Sequence, residues 1–398
     1  MAEPTPAPTA PDVRLLRSIT LRNILSFGPD TPPLELRALN VLIGPNGSGK
    51  SNLLDAVELL KKAPDAEDLV AKVNADNWIH KGDTQGKSAS IEIEALFGFI
   101  ADVLHQVEFV EFSRKQLLIK ENIEVTDSLD GPHEPIIEFK TGNPFGTVVR
   151  RGGDMEKVSS NDYNFSASCL FQFRGAGYLI LTSLANQYRQ IRLYREWTFG
   201  RNSGPRLPRP TDERNDFLAE DGSNLGLVMS KLGNYPEIKD QFISALNELY
   251  EGIKDFHVQV EGGSVQIFLR EGNSMIPATR LSDGTLRYLC LLAILLHPTP
   301  PPLICLEEPE LGLHPDAVVA VGKLIKEAST RTQLIITTHS RILIDTFQES
   351  PDDVVVVSKE DGCTQFNRLD ADQLRPYLDK YSLSNLWSSG DIGGNRWS

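Results

Sequence analysis

The 398-residue sequence predicts an α/β protein: a parallel core sheet, an antiparallel β subdomain and a mainly helical insertion. Three observations carry that expectation. The last third alternates apolar segments of helical and strand length: LRYLCLLAILL, PLICLEE, PDAVVAVGKLIKEAS, QLIITTH and VVVVSK. That rhythm belongs to parallel strands covered by helices. Between about residues 89 and 149, stretches such as SIEIEALFGF, HQVEFVEFS, NIEVTD and PIIEFKT alternate with the period of two expected of antiparallel strands. Near the N-terminus an apolar NVLI runs into a glycine-rich turn and then into SNLLDAVELLKK, a strand–loop–helix unit.

Residues 1–12, with Pro4, Pro6, Pro8 and Pro11 among Ala and Thr, are expected to be a disordered tail. Residues 13–150 form a first lobe: a strand over 15–25, a second over 40–44, a helix opening near Lys50, and the antiparallel strands. Residues 151–274 read as an insertion of mixed helix and strand. Within it ILTSLANQYRQIRLYREW is expected to be one helix and SGPRLPRPTDERND a loop. Two helices follow, the second starting at Pro236, and then two strands, HVQVEG and SVQIFLREG. Residues 275–370 carry the alternating helices and strands as a second lobe. In the tail 371–398, LWSSGDIGGNRWS places Leu386, Trp387 and Trp397 in a segment too apolar to hang free, so it is expected to dock on the body or on a partner. The chain has no internal repeat, and its middle has no sustained heptads of the kind a coiled-coil arm requires.

Lys+Arg 40 against Asp+Glu 54 leaves a net charge of −14, which argues against coating nucleic acid through bulk charge. A local basic groove is still allowed. The stretch 189–197, where Arg189, Arg192 and Arg195 interleave with Tyr194 and Trp197, reads first as an amphipathic packing helix and second as a DNA- or partner-contact surface. Cys169, Cys290, Cys305 and Cys363 show no metal-binding spacing, and no signal peptide is evident, so a cytoplasmic location is expected. The apolar run 289–296 is stopped by His297 and a cluster of prolines; it is too short to span a bilayer and reads as a buried helix.

Residues 44–51, Gly-Pro-Asn-Gly-Ser-Gly-Lys-Ser, fit the phosphate-loop pattern GxxxxGK(S/T) between a strand and a helix. The spacing follows from the chemistry. Gly44, Gly47 and Gly49 let backbone amides turn inward, Pro45, Asn46 and Ser48 complete the loop, and the helix N-terminus with Asn52 adds partial positive charge. Lys50 reaches the β- and γ-phosphates, and the Ser51 hydroxyl is placed to ligate Mg²⁺. ATP and Mg²⁺ are the expected cofactors.

Downstream, Leu303–Glu307 followed by Glu308 is an apolar strand ending in two carboxylates. LSDGT at 281–285 precedes a helix, ELGLHP follows at 310–315, and His339 ends a strand in IITTHS. Behind a complete phosphate loop, these segments in this order resemble the Walker B strand, signature, D-loop and switch histidine of ABC ATPases. The separation of Lys50 from Ser282 exceeds that of transporter cassettes and resembles the SMC/RecF-type branch, particularly single-chain ATPases related to RecF and to the ATPase half of OLD nucleases. The resemblance implies that Glu307 sits near Mg²⁺, that Glu308 is the general base and that His339 senses the γ-phosphate. It implies further that Ser282 and Gly284 complete the site of a second copy, making a homodimer around two ATPs.

Two departures stand out. Glu307 replaces the usual Asp, and Asp283 replaces a signature Gly, so it is expected to turn away or be neutralised by a neighbour such as Arg280 or Arg287. Gln85 in KGDTQGKS reads first as part of a flexible loop and second as a candidate for the Q-loop. Too few residues follow His339 for an OLD-type nuclease domain, so any nuclease or toxin effector is expected to be a separate protein. The uses that fit are DNA repair or maintenance, with DNA as a partner, and the ATPase sensor of an anti-phage defence system. A non-hydrolysing, nucleotide-dependent scaffold is the alternative.

Overall fold

The structure is a computed structural model that describes residues 12–73, 78–80, 90–97, 102–113, 116–126, 133–138, 145–150, 154–159 and 161–394. The Pro-rich residues 1–11, Gln85 and Trp397 lie outside them. The chain opens with β1 (Leu16–Arg22), β2 (Leu34–Glu35), β3 (Leu39–Ile43) and the helix Lys50–Lys62. The alternating stretches become β4 (Ser90–Phe97), β5 (Asp102–Ser113), β6 (Gln116–Thr126), β7 (His133–Glu138), β8 (Phe145–Val149) and β9 (Met155–Ser159). Together with β1 and β2 they form an antiparallel sheet in the order β2-β1-β4-β5-β6-β7-β8-β9. The period of two is visible in β4, where Ile93, Ala95 and Phe97 are buried and Glu92 and Glu94 are half-buried. The sheet runs past residue 150, since β9 pairs with β8.

The core sheet is built from β3, β10 (Arg192–Tyr194), β15 (Leu303–Glu307), β16 (Gln333–Thr338), β17 (Val354–Glu360) and β18 (Cys363–Arg368), in the order β10-β15-β16-β3-β17-β18. It is parallel up to β17, and β18 returns antiparallel. Alternate residues of each strand feed two hydrophobic cores, one on each face. Leu42, Cys305, Ile335 and Val355 face one core, whereas Val41, Leu306, Ile336 and Val356 face the other. Burial on both faces is why these strands are continuously apolar rather than alternating. The helix Asp283–Leu295 is buried along almost its whole length, as its unbroken apolar run requires. A small sheet of β11 (Arg209–Pro210), β12 (Ile253–Glu261), β13 (Ser264–Glu271) and β14 (Ser274–Pro277) carries the two strands expected before residue 274.

The segment expected to be one helix up to Trp197 divides. The helix Leu179–Gln190 stops, and Arg192–Tyr194 becomes the edge strand β10, paired in parallel with β15. Pairing satisfies the backbone groups along the outer edge of β15 and sends Leu193 and Tyr194 into opposite cores, which outweighs local helix propensity. Arg189 stays on the last turn of the helix while Arg192 and Arg195 lie beyond it, and all three are paired within the chain rather than forming a free cationic stripe. Arg189 pairs with Asp65 at 2.9 Å, and the Arg192 guanidinium caps the carbonyls of Arg189 and Ile191 while lying over the Phe217 ring. The C-terminal residues dock on the body: Leu383, Leu386 and Ile392 are buried, and Ser384 bonds the Asp345 carboxylate through both its amide and hydroxyl at 2.8 Å.

A buried polar cluster fastens the antiparallel sheet to the segment that leads into β10. The Glu121 carboxylate on β6 accepts from the Ser168 hydroxyl at 2.7 Å and the Cys169 amide, and lies 3.0 Å from His105 Nε2. His105 Nδ1 is 2.6 Å from the hydroxyl of Tyr188, in the helix preceding β10. Burial alone would raise the Glu121 carboxyl, yet it is held below the usual carboxylate range by His105 and these donors. Replacing His105 with Leu strands a buried carboxylate and should cost about 3–5 kcal/mol. A shifted midpoint in urea unfolding would register that loss.

Candidate functional site

The turn Gly44–Gly49 leaves the end of β3 and enters the helix Lys50–Lys62. Its shape is enforced from behind by the C-terminal hairpin. A Cβ on Gly44 would collide with the Val357 carbonyl of β17, and one on Gly49, at φ 112°, with the Thr364 hydroxyl of β18. Thr364 Oγ1 lies 2.7 Å from Ser48 O and 2.6 Å from Ser26 Oγ, and Asn52 Nδ2 donates to the same Ser26 hydroxyl at 2.6 Å. Lys50 Nζ donates to Gly44 O at 2.8 Å and Pro45 O at 3.1 Å, so the ammonium is held across the loop. Burial pulls the Lys50 ammonium down to about 8, against the attraction of Glu308 and Glu307.

The parallel register brings the other residues to the same edge. Glu307 is paired with Thr337 and Thr338 with Ile43, so Glu308, His339 and Gly44 all emerge together. The Ser51 hydroxyl bonds Glu307 Oε1, while Arg195 Nε donates to Glu307 Oε2 at 2.8 Å. Burial works against the Arg195 charge, but Glu307 and Asp55 more than compensate and raise it. Glu308 adopts a left-handed backbone at φ 46°, and its amide donates to Thr337 O at 2.9 Å. A non-glycine residue in that region carries strain of about 1–3 kcal/mol, a pattern common where a side chain must be aimed. Glu308 Oε1 stands 3.5 Å from His339 Nε2. His339 is held below the ordinary imidazole range by burial and by Lys50, partly countered by Glu308.

Glu310 ties the Walker B end to the histidine turn. Its Oε1 accepts from Thr338 Oγ1 at 2.6 Å and from the amides of His339 and Ser340 at 3.1 and 3.2 Å. Burial pushes this carboxyl above its usual range. Loop residues Asn46, Gly47 and Gly49 with Lys50, Ser51 and Asn52 form one side of a cavity of about 330 Å³, and Glu307, Glu308, Thr337 and His339 form the other. Gly44, Pro45 and Ser48 belong to the loop but do not line the cavity. Ser282 and Gly284 do not line the cavity. Ser282 caps the buried helix, accepting from the Thr285 amide at 3.0 Å, and a Cβ on Gly284 would stand 2.8 Å from Gly312 O in the D-loop segment.

Among the described residues no group of three or more His, Cys, Asp or Glu could hold a metal by itself. A hydroxyl and a carboxylate in contact are nevertheless the hard oxygen donors that Mg²⁺ takes when phosphates and water complete its shell. Ser51 and Glu307 fit that ion.

Asp283 is neutralised, though by neither arginine expected. Buried Arg206 bonds it while also donating to Leu281 O at 2.6 Å and Phe199 O at 2.9 Å. Arg287 instead lies over Trp197 and Phe199, with Nη1 3.5 Å from Glu308 O. Ser26 and Thr364 carry no local signal in the sequence. Arg195 and Glu310 stand in segments singled out there, but as a packing or contact stretch and as the D-loop rather than as partners of the carboxylate and histidine.

A parallel sheet with a phosphate loop, two carboxylates and a histidine at one edge defines an SMC/RecF-type ABC ATPase head. The chain belongs to the family described as "AAA domain, putative AbiEii toxin, Type IV TA system", whose model matches residues 39–345. No curated protein matches it. Among solved structures it is similar to an Smc head bound to the C-terminal winged-helix domain of ScpA (TM-score 0.58, 15% identity, 90% of this chain and 99% of that one). It is also similar to an Smc head with an extended coiled coil bound to the C-terminal domain of ScpA, derived from Pyrococcus furiosus (TM-score 0.56, 15% identity, 92% and 99%). A third, an Smc head with coiled coil and joint from Pyrococcus yayanosii, has a TM-score of 0.50 at 12% identity, over 92% and 99%. At these identities the likeness is one of fold. No helix among the described residues is long and apolar enough to cross a membrane.

With Lys50 titrating near 8, ATP affinity should be level around neutrality and fall by up to about tenfold per pH unit above that value, as the ammonium loses its proton. Calorimetric titration between about pH 7 and pH 10 checks this, and Lys50→Arg should abolish the slope.

Proposed function

We propose that this chain is an ATP-hydrolysing switch in which two copies close head-to-tail over two ATPs. The observation that carries the reading is the convergence of Lys50, Ser51, Glu307, Glu308 and His339 on one cavity that excludes Ser282 and Gly284. The loop amides and Lys50 Nζ bind the β- and γ-phosphates. Ser51 Oγ and Glu307 would hold Mg²⁺, which when bound would supply charge neutralisation for those phosphates. Glu308 accepts the proton of the attacking water, and neutral His339, 3.5 Å away, donates from Nε2 to orient that carboxylate toward the γ-phosphate. Ser282 and the amide of Gly284, at the N-terminus of the buried helix, complete the γ-phosphate contacts of the second copy.

The use we favour is that of a sensor that gates a separately encoded effector in anti-phage defence, acting in the cytoplasm. Support comes from the toxin–antitoxin wording of the family description and from the internal engagement of Arg189, Arg192 and Arg195, which weakens the case for DNA contact through that stretch. The ScpA-bound Smc heads offer a precedent for a head that carries a partner protein.

Glu308→Gln should bind ATP as tightly as wild type, turn it over about 10²–10⁴-fold more slowly, and persist as a dimer in Mg-ATP. Light scattering beside a phosphate-release assay reads both properties; normal turnover would remove Glu308 from the base role and bring the scaffold alternative forward. Ser282→Arg should leave nucleotide binding to the single chain intact while abolishing ATP-driven dimerisation.

A further inference from the structure

We infer that Arg195 is a positioning residue for Glu307: it fixes the Walker B carboxylate against Ser51, so that the segment around β10 controls divalent-cation binding and turnover. The inference rests on the reading of Ser51 and Glu307 as the Mg²⁺ pair. It adds a point at which the inserted segment can act on the site.

Glutamate has one more rotatable bond than the usual aspartate, so at a strand end it needs restraint to present one oxygen to a cation. Both oxygens of Glu307 are restrained here, Oε1 by the Ser51 hydroxyl and Oε2 by Arg195 Nε at 2.8 Å. Arg195 is anchored at its other end: Nη1 donates to Asp55 Oδ1 at 2.6 Å and Glu58 Oε2 at 3.2 Å, both on the helix that begins with Lys50 and Ser51. One guanidinium thus joins the phosphate-loop helix to the Walker B strand.

Backbone register explains its location. Tyr194 pairs with Leu306, so the next residue along each strand is Arg195 beside Glu307. Without Arg195, Glu307 would face Asp55 and Glu58 with no cation between them, and repulsion would turn its carboxylate away. The fork also needs arginine's geometry, since a lysine ammonium is a single point and cannot span both ends with fixed orientation.

The test uses the full chain carrying Glu308→Gln, so that ATP is not consumed, and reads Mn²⁺ binding to the ATP complex by electron paramagnetic resonance. Arg195→Met should leave ATP affinity in EDTA within about twofold while raising the Mn²⁺ half-saturation about tenfold, the range expected when a group orienting a metal ligand is removed. With Glu308 intact, Arg195→Met should lower kcat about tenfold at unchanged KM for ATP, and Arg195→Lys should recover only part of each loss. Unchanged Mn²⁺ binding and kcat in Arg195→Met would overturn the inference; so would tighter Mn²⁺ binding, which would make Arg195 a competitor of the cation. Should Arg195→Met not fold, Asp55→Asn with Glu58→Gln frees the far end of the guanidinium. That variant should weaken Mn²⁺ binding about two- to threefold, and no change would count against the proposal. Mn²⁺ binding insensitive to Ser51→Ala would overturn the metal-pair reading and this inference together. Failure of Glu308 as the base would leave the Mn²⁺ result standing.

Discussion

Everything at the site depends on parallel register. β3, β16 and β15 run side by side in the same direction, with Ile43 opposite Thr338 and Thr337 opposite Glu307. Three segments from distant parts of the chain therefore end at the same edge, and Gly44, His339 and Glu308 each follow by one step. Parallel strands need crossover connections, and the buried helices that provide them give the sheet an apolar layer on each face. A slip of one residue in any of these strands would invert its contribution to the two cores as well as misplace the cavity residue at its end. Stability and chemistry thus select the same alignment.

The inserted segment is joined to that sheet through β10. Because β10 lies beside the Walker B strand, it brings Arg195 to Glu307 while the preceding helix presents Tyr188 to the buried His105–Glu121 pair. Antiparallel lobe, insertion and core sheet are consequently linked by polar contacts as well as by packing. A buried pair of this kind contributes little net stability but is costly to break, which favours a single arrangement of the parts.

What was legible in the sequence was what is local or periodic. The phosphate loop is eight consecutive residues whose types are dictated by backbone geometry, and the strand ends at Glu307, Glu308 and His339 are marked by a switch from apolar to polar residues. The periods of two and the continuous apolar runs marked the antiparallel and the parallel strands for the same reason. The expectations that failed concerned pairings across the chain. Residues 192–194 have ordinary helical neighbours, and only the vacant edge of β15 makes them a strand. Asp283 is neutralised by a neighbour as expected, but that neighbour is Arg206, distant in sequence, because the loop ending at Arg206 folds over the Leu281 carbonyl. Ser26 and Thr364 are unremarkable in sequence and meet the phosphate loop only after the chain has closed.

That last contact has a consequence for how the protein is made. The loop at residues 44–49 is synthesised early, yet the carbonyl that leaves no room for a Cβ at Gly44 and the hydroxyl that bonds Ser48 O belong to Val357 and Thr364, synthesised about three hundred residues later. A nascent chain still emerging from the ribosome carries the nucleotide-binding sequence without the wall that shapes it. The loop therefore meets the Thr364 hydroxyl only once the final hairpin has been made.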